Sequence, residues 1–482
     1  MVQASARPGL SQATQALAIV LVLITVASII GVSVVRGSQY MYAAVTAAMG
    51  LVILIRPAWG MVGYLILAAT LPSSGTVGSE KVATFALLAW MFMLATIRLL
   101  RYGPSLPKSV RVVITSVYIL FVAIGISLLV ALGNDIRFVD WARDVFPPAN
   151  LAIVAIMAAF IRHDRDIRML KSVFIGLCAY IGASGVASLL GLPFFSLPLI
   201  VGGTWIHAIL VSIAAASLSE FSGFRPKYLA MGVLGVLTAF TSDTRTIWVG
   251  LLVVVVVSLI TNLRAGRARR NIVIVLFVVV VSATAYGVAS NRLGAERWAA
   301  QQERFGTLER LQQDPSYLIR QEQRREAYGH FFEHPAFGVG LGYQYHYNIE
   351  FTEKYEEGTN FNHSDFANYL CKMGLAGTAA IAWVFLAVLL LCNRIIRQAR
   401  DPEDRWFART AQISLLAGVV MANSTPIMQV RETTFILSFL VAVVVLVAIR
   451  VERAGESPTR APLETELASA ARPRARQAPG LP

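Results

Sequence analysis

The residues best suited to chemistry lie in one polar segment, roughly residues 291 to 365, set between long apolar runs. It holds four of the chain's six histidines (His330, His334, His346 and His363) together with a cluster of arginines and aromatics. His363, in Asn360-Phe-Asn-His-Ser-Asp365, opens the segment that returns to apolar sequence, where Asn362 or Ser364 could cap a helix. It reads either as a structural histidine or as a general base beside Asp365. Arg320, Arg324 and Tyr328 recur at i, i+4 and i+8 in a run that ends before Pro335, so they share one face of an amphipathic helix. A guanidinium on such a face can hold a phosphate through two parallel hydrogen bonds. Arg245, in Thr241-Ser-Asp-Thr-Arg-Thr-Ile-Trp248, stands at the mouth of another apolar run. It reads either as an interfacial arginine that snorkels with Trp248 as its belt partner, or as a second phosphate ligand.

The elements that position these residues are membrane helices. The chain is 56% hydrophobic and 15% charged, with mean hydropathy +0.62, outside the range of water-soluble domains. Apolar stretches suited to crossing ~30 Å of hydrocarbon recur from end to end, about fourteen in all or twelve if short ones merge. They lie near 14–35, 40–55, 59–71, 81–97, 110–132, 147–161, 170–190, 205–221, 228–241, 245–262, 271–290, 366–393, 410–429 and 434–450. The fold class expected is an all-α polytopic membrane protein of about 12–14 transmembrane helices. Its single large extracytoplasmic loop carries short helices. The first run is long for a signal peptide, lacks a clear cleavage site and is followed by further spans, so it reads as a membrane helix.

Charge sets the orientation. The net charge of +14 gathers in short loops: Arg98 to Arg111, Arg162 to Lys171, Arg264 to Arg270 and Arg394 to Arg409. These fall at alternate ends of the proposed spans, the pattern of the positive-inside rule, so nucleic acid is not the expected partner. The division expected is an N-terminal bundle of about eleven helices over 1–290, an extracytoplasmic loop over 291–365, helices over 366–450 and a disordered cytoplasmic tail over 451–482. Both termini are then cytoplasmic, and the polar loop faces outward.

Several chemistries are disfavoured. Cys178, Cys371 and Cys392 sit in or beside apolar runs without a CxxC pair, which argues against disulfides or zinc. The only D-x-D triplet, Asp164-Arg-Asp166, falls in a basic cytoplasmic loop, and no outer cluster has metal-ligand spacing. No metal and no cofactor are expected. The run Gly338-Val-Gly-Leu-Gly342 lacks the register of a dinucleotide site and has no Walker lysine. It reads as a tight turn returning the loop to the membrane, with His334 shaping the turn. Intramembrane acids are scarce, which disfavours a proton-coupled pump.

Together, Arg245 in T-S-D-T-R-T, Arg320, the run Phe331-Phe-Glu-His-Pro-Ala-Phe-Gly-Val-Gly-Leu-Gly342, and His363 with Met373-Gly-Leu-Ala-Gly377 downstream resemble the O-antigen ligase and O-antigen polymerase superfamily. The likeness covers about residues 235 to 395. One departure is Ser364, where many relatives carry Asn directly after the histidine. The resemblance implies a membrane-embedded C-type glycosyltransferase of the bacterial inner membrane. Its donor would be an undecaprenyl-diphosphate-linked glycan and its acceptor a glycan or lipid-linked molecule. Arg245 and Arg320 would hold the diphosphate, His363 would activate the acceptor hydroxyl, and Arg324, Tyr328 and Asp365 would support them. Polymerisation of repeat units into surface polysaccharide is the leading reading, and ligation to a lipid A core the alternative. A flippase or exporter, expected to spread its charges along a central cavity, stands further back. Membrane lipid is an expected partner, with a chain-length regulator or other assembly proteins as further candidates.

Overall fold

The computed structural model describes residues 48–70, 79–189, 205–221, 225–239, 246–264, 268–292, 315–346 and 359–456. The protein is an all-α polytopic membrane protein; among the described residues the only β feature is one bridge, between Tyr345 and Thr359. The helices are α1 (Pro57–Thr70), α2 (Ser79–Tyr102), α3 (Lys108–Gly133), α4 (Phe138–Ala149), α5 (Ala152–Phe160), α6 (Asp164–Leu189) and α7 (Ile206–Glu220). They continue as α8 (Pro226–Ala239), α9 (Thr246–Arg264), α10 (Ala268–Arg292), α11 (Pro315–Glu333), α12 (Asp365–Gln398), α13 (Pro402–Met421) and α14 (Arg431–Glu456).

Among the described residues six helices, α2, α3, α6, α9, α12 and α14, are long and apolar enough to cross a membrane. The pair α4 and α5, bent by 48° at Asn150–Leu151, makes a seventh. The sequence has more apolar stretches than this, and part of the chain lies outside the described residues. The stretches at 59–71, 205–221 and 228–241 form helices of only 14, 15 and 14 residues, shorter than the ~20 residues a perpendicular crossing needs. The stretch at 14–35 lies outside the described residues. The C-terminal helix also outruns its expected end: α14 continues to Glu456, past the proposed tail boundary at 451, and residues 457–482 are not described.

Helix α14 is the axis of the bundle. Apart from Ser438 its sequence from Phe435 to Ile449 is apolar on every face, and 89% of its membrane window is buried inside the protein. It packs against α5, α6 and α12, and α12 in turn packs against α3 and α13. The peripheral helices show the inverse of a soluble surface: Val122, Leu129, Leu252, Ile272 and Leu390 are exposed, as lipid-facing side chains must be.

The two polar ends of the bundle differ. At one end Glu220, at the foot of α7, accepts from Arg405 at 3.4 Å and Arg409 at 3.0 Å on α13. Asp404 pairs there with Lys171 of α6 at 3.1 Å and with Arg450 of α14. These are the arginine-rich loops of the sequence, and buried carboxylates hold several of their cations. The candidate site occupies the other end.

Candidate functional site at the loop end of the bundle

Local sequence explains the frame of the site. Helix α12 is broken at Gly374, whose φ of 62° and ψ of −163° only glycine adopts readily. The break leaves the carbonyls of Cys371 and Lys372 and the N–H groups of Leu375 and Ala376 without helical partners. The glycine run of the loop supplies all four. Val339 and Gly340 donate to Cys371 and Lys372 at 2.9 and 3.0 Å, while Leu375 and Ala376 donate to Pro335 and Ala336 at 2.9 and 3.1 Å. A Cβ on Gly374 would stand 2.5 Å from the backbone of Ala336, and one on Gly338 2.3 Å from the Cys371 carbonyl. The H-P-x-x-G-x-G-x-G run and the downstream glycines are therefore two halves of one joint. The tight turn foreseen from the glycines is present, and it docks into a broken helix. His334 is exposed, its backbone N–H donating to His330 and its carbonyl accepting from Gly338.

A buried ion pair fastens this joint to the bundle. Lys372, 1% exposed at its side chain, donates to Asp144 of α4 at 2.7 Å and to the Asn360 carbonyl at 2.7 Å. The same Asp144 oxygen accepts the Gly342 N–H at 2.9 Å. Asn134, at the end of α3, donates to the Val339 carbonyl at 2.9 Å. The loop segment that carries His363 thus hangs from Lys372, close to its own helix start.

Helix α11 forms the opposite wall. Ala327 packs with Val339, Tyr345, Ala367 and Cys371 in a small apolar cluster, and Tyr328 and Tyr343 lie against it. The Tyr343 hydroxyl lies 2.7 Å from His330 Nε2, and Glu326 accepts the His346 N–H at 2.7 Å. Tyr328, expected on the arginine face, serves as packing here.

His363 sits between these walls, one residue before the cap of α12. Ser364 is that cap, its hydroxyl oxygen accepting from the Ala367 N–H. The imidazole Nδ1 lies 2.8 Å from the side-chain oxygen of Gln323 on α11, and the backbone N–H of His363 points at the same oxygen from 3.3 Å. Phe361 meets the ring edge to face, with centroids 5.1 Å apart. Partial burial first, then the guanidinium groups of Arg320 and Arg324, push the imidazole down to about 4, so it is neutral at physiological pH. Arg320 and Arg324, one turn apart on α11, therefore act on His363 directly; the Arg324 Nε–H also reaches the Arg320 carbonyl at 3.4 Å.

Asp365 takes a different place from the one expected. Its carboxylate turns away into the loop before α14, accepting from the N–H groups of Ile427 and Met428 at 2.7 and 2.8 Å and from the Gln429 amide at 3.0 Å. Gln429 also clasps Asn362, accepting its N–H at 3.1 Å and donating to its carbonyl at 2.7 Å. A carboxylate at the first turn of a helix, facing backbone donors, is a structural clamp. The group that holds the imidazole is Gln323.

Arg245 lies outside the described residues. Thr246, the first residue of α9, has its hydroxyl 3.3 Å from that of Ser424, in the same loop that carries Gln429. The sequence reading missed both glutamines and the Asp144–Lys372 pair. Gln323 left a signal, since it falls three residues after Arg320 on the face shared with Arg324. Gln429 and Asp144 come from distant segments and left none. Among the described residues no three His, Cys, Asp or Glu side chains converge as a metal would require.

No curated protein is significantly similar in sequence to this chain. Residues 230–382, however, match the family model described as O-antigen ligase. This stretch contains Arg245, Arg320, Gln323, His363 and the whole glycine joint. Residues 230–382 of the chain are thus similar to the O-antigen ligase family, in keeping with the O-antigen ligase and polymerase superfamily.

Proposed function

We propose that the protein is an inverting glycosyltransferase that moves an oligosaccharide from a polyprenyl diphosphate to an acceptor hydroxyl at the outer face of the inner membrane. The observation that carries this reading is a neutral imidazole, His363, held against a wall that bears Arg320 and Arg324. The acceptor oxygen attacks the anomeric carbon while His363 takes its proton. The bond from that carbon to the diphosphate breaks, and its electron pair leaves with the lipid diphosphate. Attack opposite the leaving group inverts the anomeric centre. Arg320 and, from its sequence context, Arg245 hold the diphosphate and stabilise its growing charge, a task that other transferases give to a divalent ion. Arg324 adds positive field, while Tyr328 and Asp365 hold the frame.

In the leading reading the acceptor is a second lipid-linked repeat unit, which makes the protein a polymerase of surface polysaccharide. The second reading, a ligase that passes glycan to a lipid A core, is favoured by the description of the matching family model. The two separate in one experiment with purified protein in detergent, chelator and undecaprenyl-diphosphate-linked repeat unit. A ladder of longer lipid-linked products identifies the polymerase. Transfer only after addition of a lipid A core identifies the ligase. Inactivity with both acceptors contradicts the proposal.

A further inference from the structure

The contact between α11 and the His363 segment determines more than distance. An amide side chain offers an oxygen that only accepts and an NH₂ that only donates. The atom of Gln323 that faces His363 is approached by the His363 backbone N–H at 3.3 Å, and a backbone N–H is always a donor. An NH₂ there would set donor against donor, so the facing atom is the oxygen. The imidazole Nδ1, 2.8 Å from that same oxygen, must then carry the hydrogen. Gln323 is 2% exposed, so water does not readily replace it. Its own backbone carbonyl accepts the Asn362 side-chain amide at 3.0 Å, which fixes helix and loop at a second point.

From this geometry we infer that Gln323 is a positioning residue that locks His363 in the Nδ1–H tautomer and leaves Nε2 as the basic atom. The inference rests on the reading of His363 as general base. A neutral amide orients the ring without adding negative charge to it, unlike the carboxylate that commonly holds a catalytic histidine. The charged groups acting on the ring remain Arg320 and Arg324 of α11. Asp365 on α12 commits its oxygens to the loop before α14, and Arg431 at the head of α14 pairs with Glu432 at 2.7 Å.

The test is the pH dependence of glycan transfer from the undecaprenyl-diphosphate-linked repeat unit. It compares wild type, Gln323→Glu, Gln323→Leu and His363→Ala, each checked for monodispersity in detergent. Gln323→Leu is expected to lower kcat about ten- to a hundredfold with little change in donor KM, because the ring loses its orienting partner. Gln323→Glu keeps the shape but puts a carboxylate on Nδ1, so the acid limb of its profile should move up by about one pH unit or more. The isosteric variant keeps the test decisive should the leucine variant fold poorly. An acid limb at the wild-type position in Gln323→Glu, in a protein that His363→Ala inactivates, overturns the assignment of Gln323 alone. Wild-type turnover by His363→Ala overturns the base reading, and the tautomer argument falls with it.

Discussion

In the proposed mechanism His363 is a base tuned by its neighbours. Its imidazole is pushed down to about 4 by burial and by two arginines, against an ordinary histidine near 6.5. A lowered pKa keeps the ring unprotonated through the neutral range, and the basic form disappears only as the pH falls through about 4. Transfer activity should therefore hold on acidification to about pH 5 and then drop, if deprotonated His363 is required. Arg324→Gln removes one of the two cations, so its acid limb should lie at higher pH than that of wild type. A pH–rate profile of the two proteins checks both expectations, and a wild-type limb near 6.5 would contradict the electrostatic account. The candidate residues were legible because guanidinium and imidazole are conspicuous between apolar runs. The direction of each side chain was not. Asp365 lies two residues after His363 in sequence but faces the loop at 427–429, and the partner that holds the ring lies forty residues upstream.

At the scale of elements, the site is assembled by a broken helix. The apolar stretch 366–393 reads as one span because nothing in its hydrophobicity marks Gly374, yet that glycine frees the four backbone groups that the loop needs in order to dock. Likewise, the span placed at 147–161 missed the amphipathic helix α4, which begins at Phe138 and carries Asp144 under the loop. Pro147 and Pro148 near its end, together with the bend before α5, obscured the continuity. Replacement of Gly374 by Ala would force a side chain into a backbone conformation costing about 1–3 kcal/mol and drive its Cβ into the Ala336 backbone. The expected result is a lower midpoint of thermal unfolding in detergent together with loss of transfer. A fully active, equally stable Gly374→Ala protein would show that the joint does not organise the site.

At the scale of the whole molecule, the bundle separates two polar ends. One carries the basic loops with Glu220 and Asp404 buried among them, and the other carries His363, α11 and the glycine joint. The segregation of arginines into alternate loops made this polarity legible from sequence. Among the described residues, short apolar helices such as α7 and α8 resemble spans in composition but not in length. The basic end is predicted to face the cytoplasm. Cys178, Cys371 and Cys392 are all buried, which gives a low background for labelling with a membrane-impermeant maleimide. Glu333→Cys on the exposed end of α11 should react in cells with an opened outer envelope and an intact inner membrane. Arg400→Cys, in the exposed turn before α13, should react only after permeabilisation. The opposite pattern would reverse the assigned orientation.

The most direct measurement of the central claim is the rate of glycan transfer by purified protein, wild type beside His363→Ala, at pH 7 in detergent with chelator. A positioned general base contributes about 10²- to 10⁴-fold, so the variant should retain its fold and lose activity by at least that lower factor. A folded His363→Ala protein that transfers glycan at the wild-type rate would contradict the account.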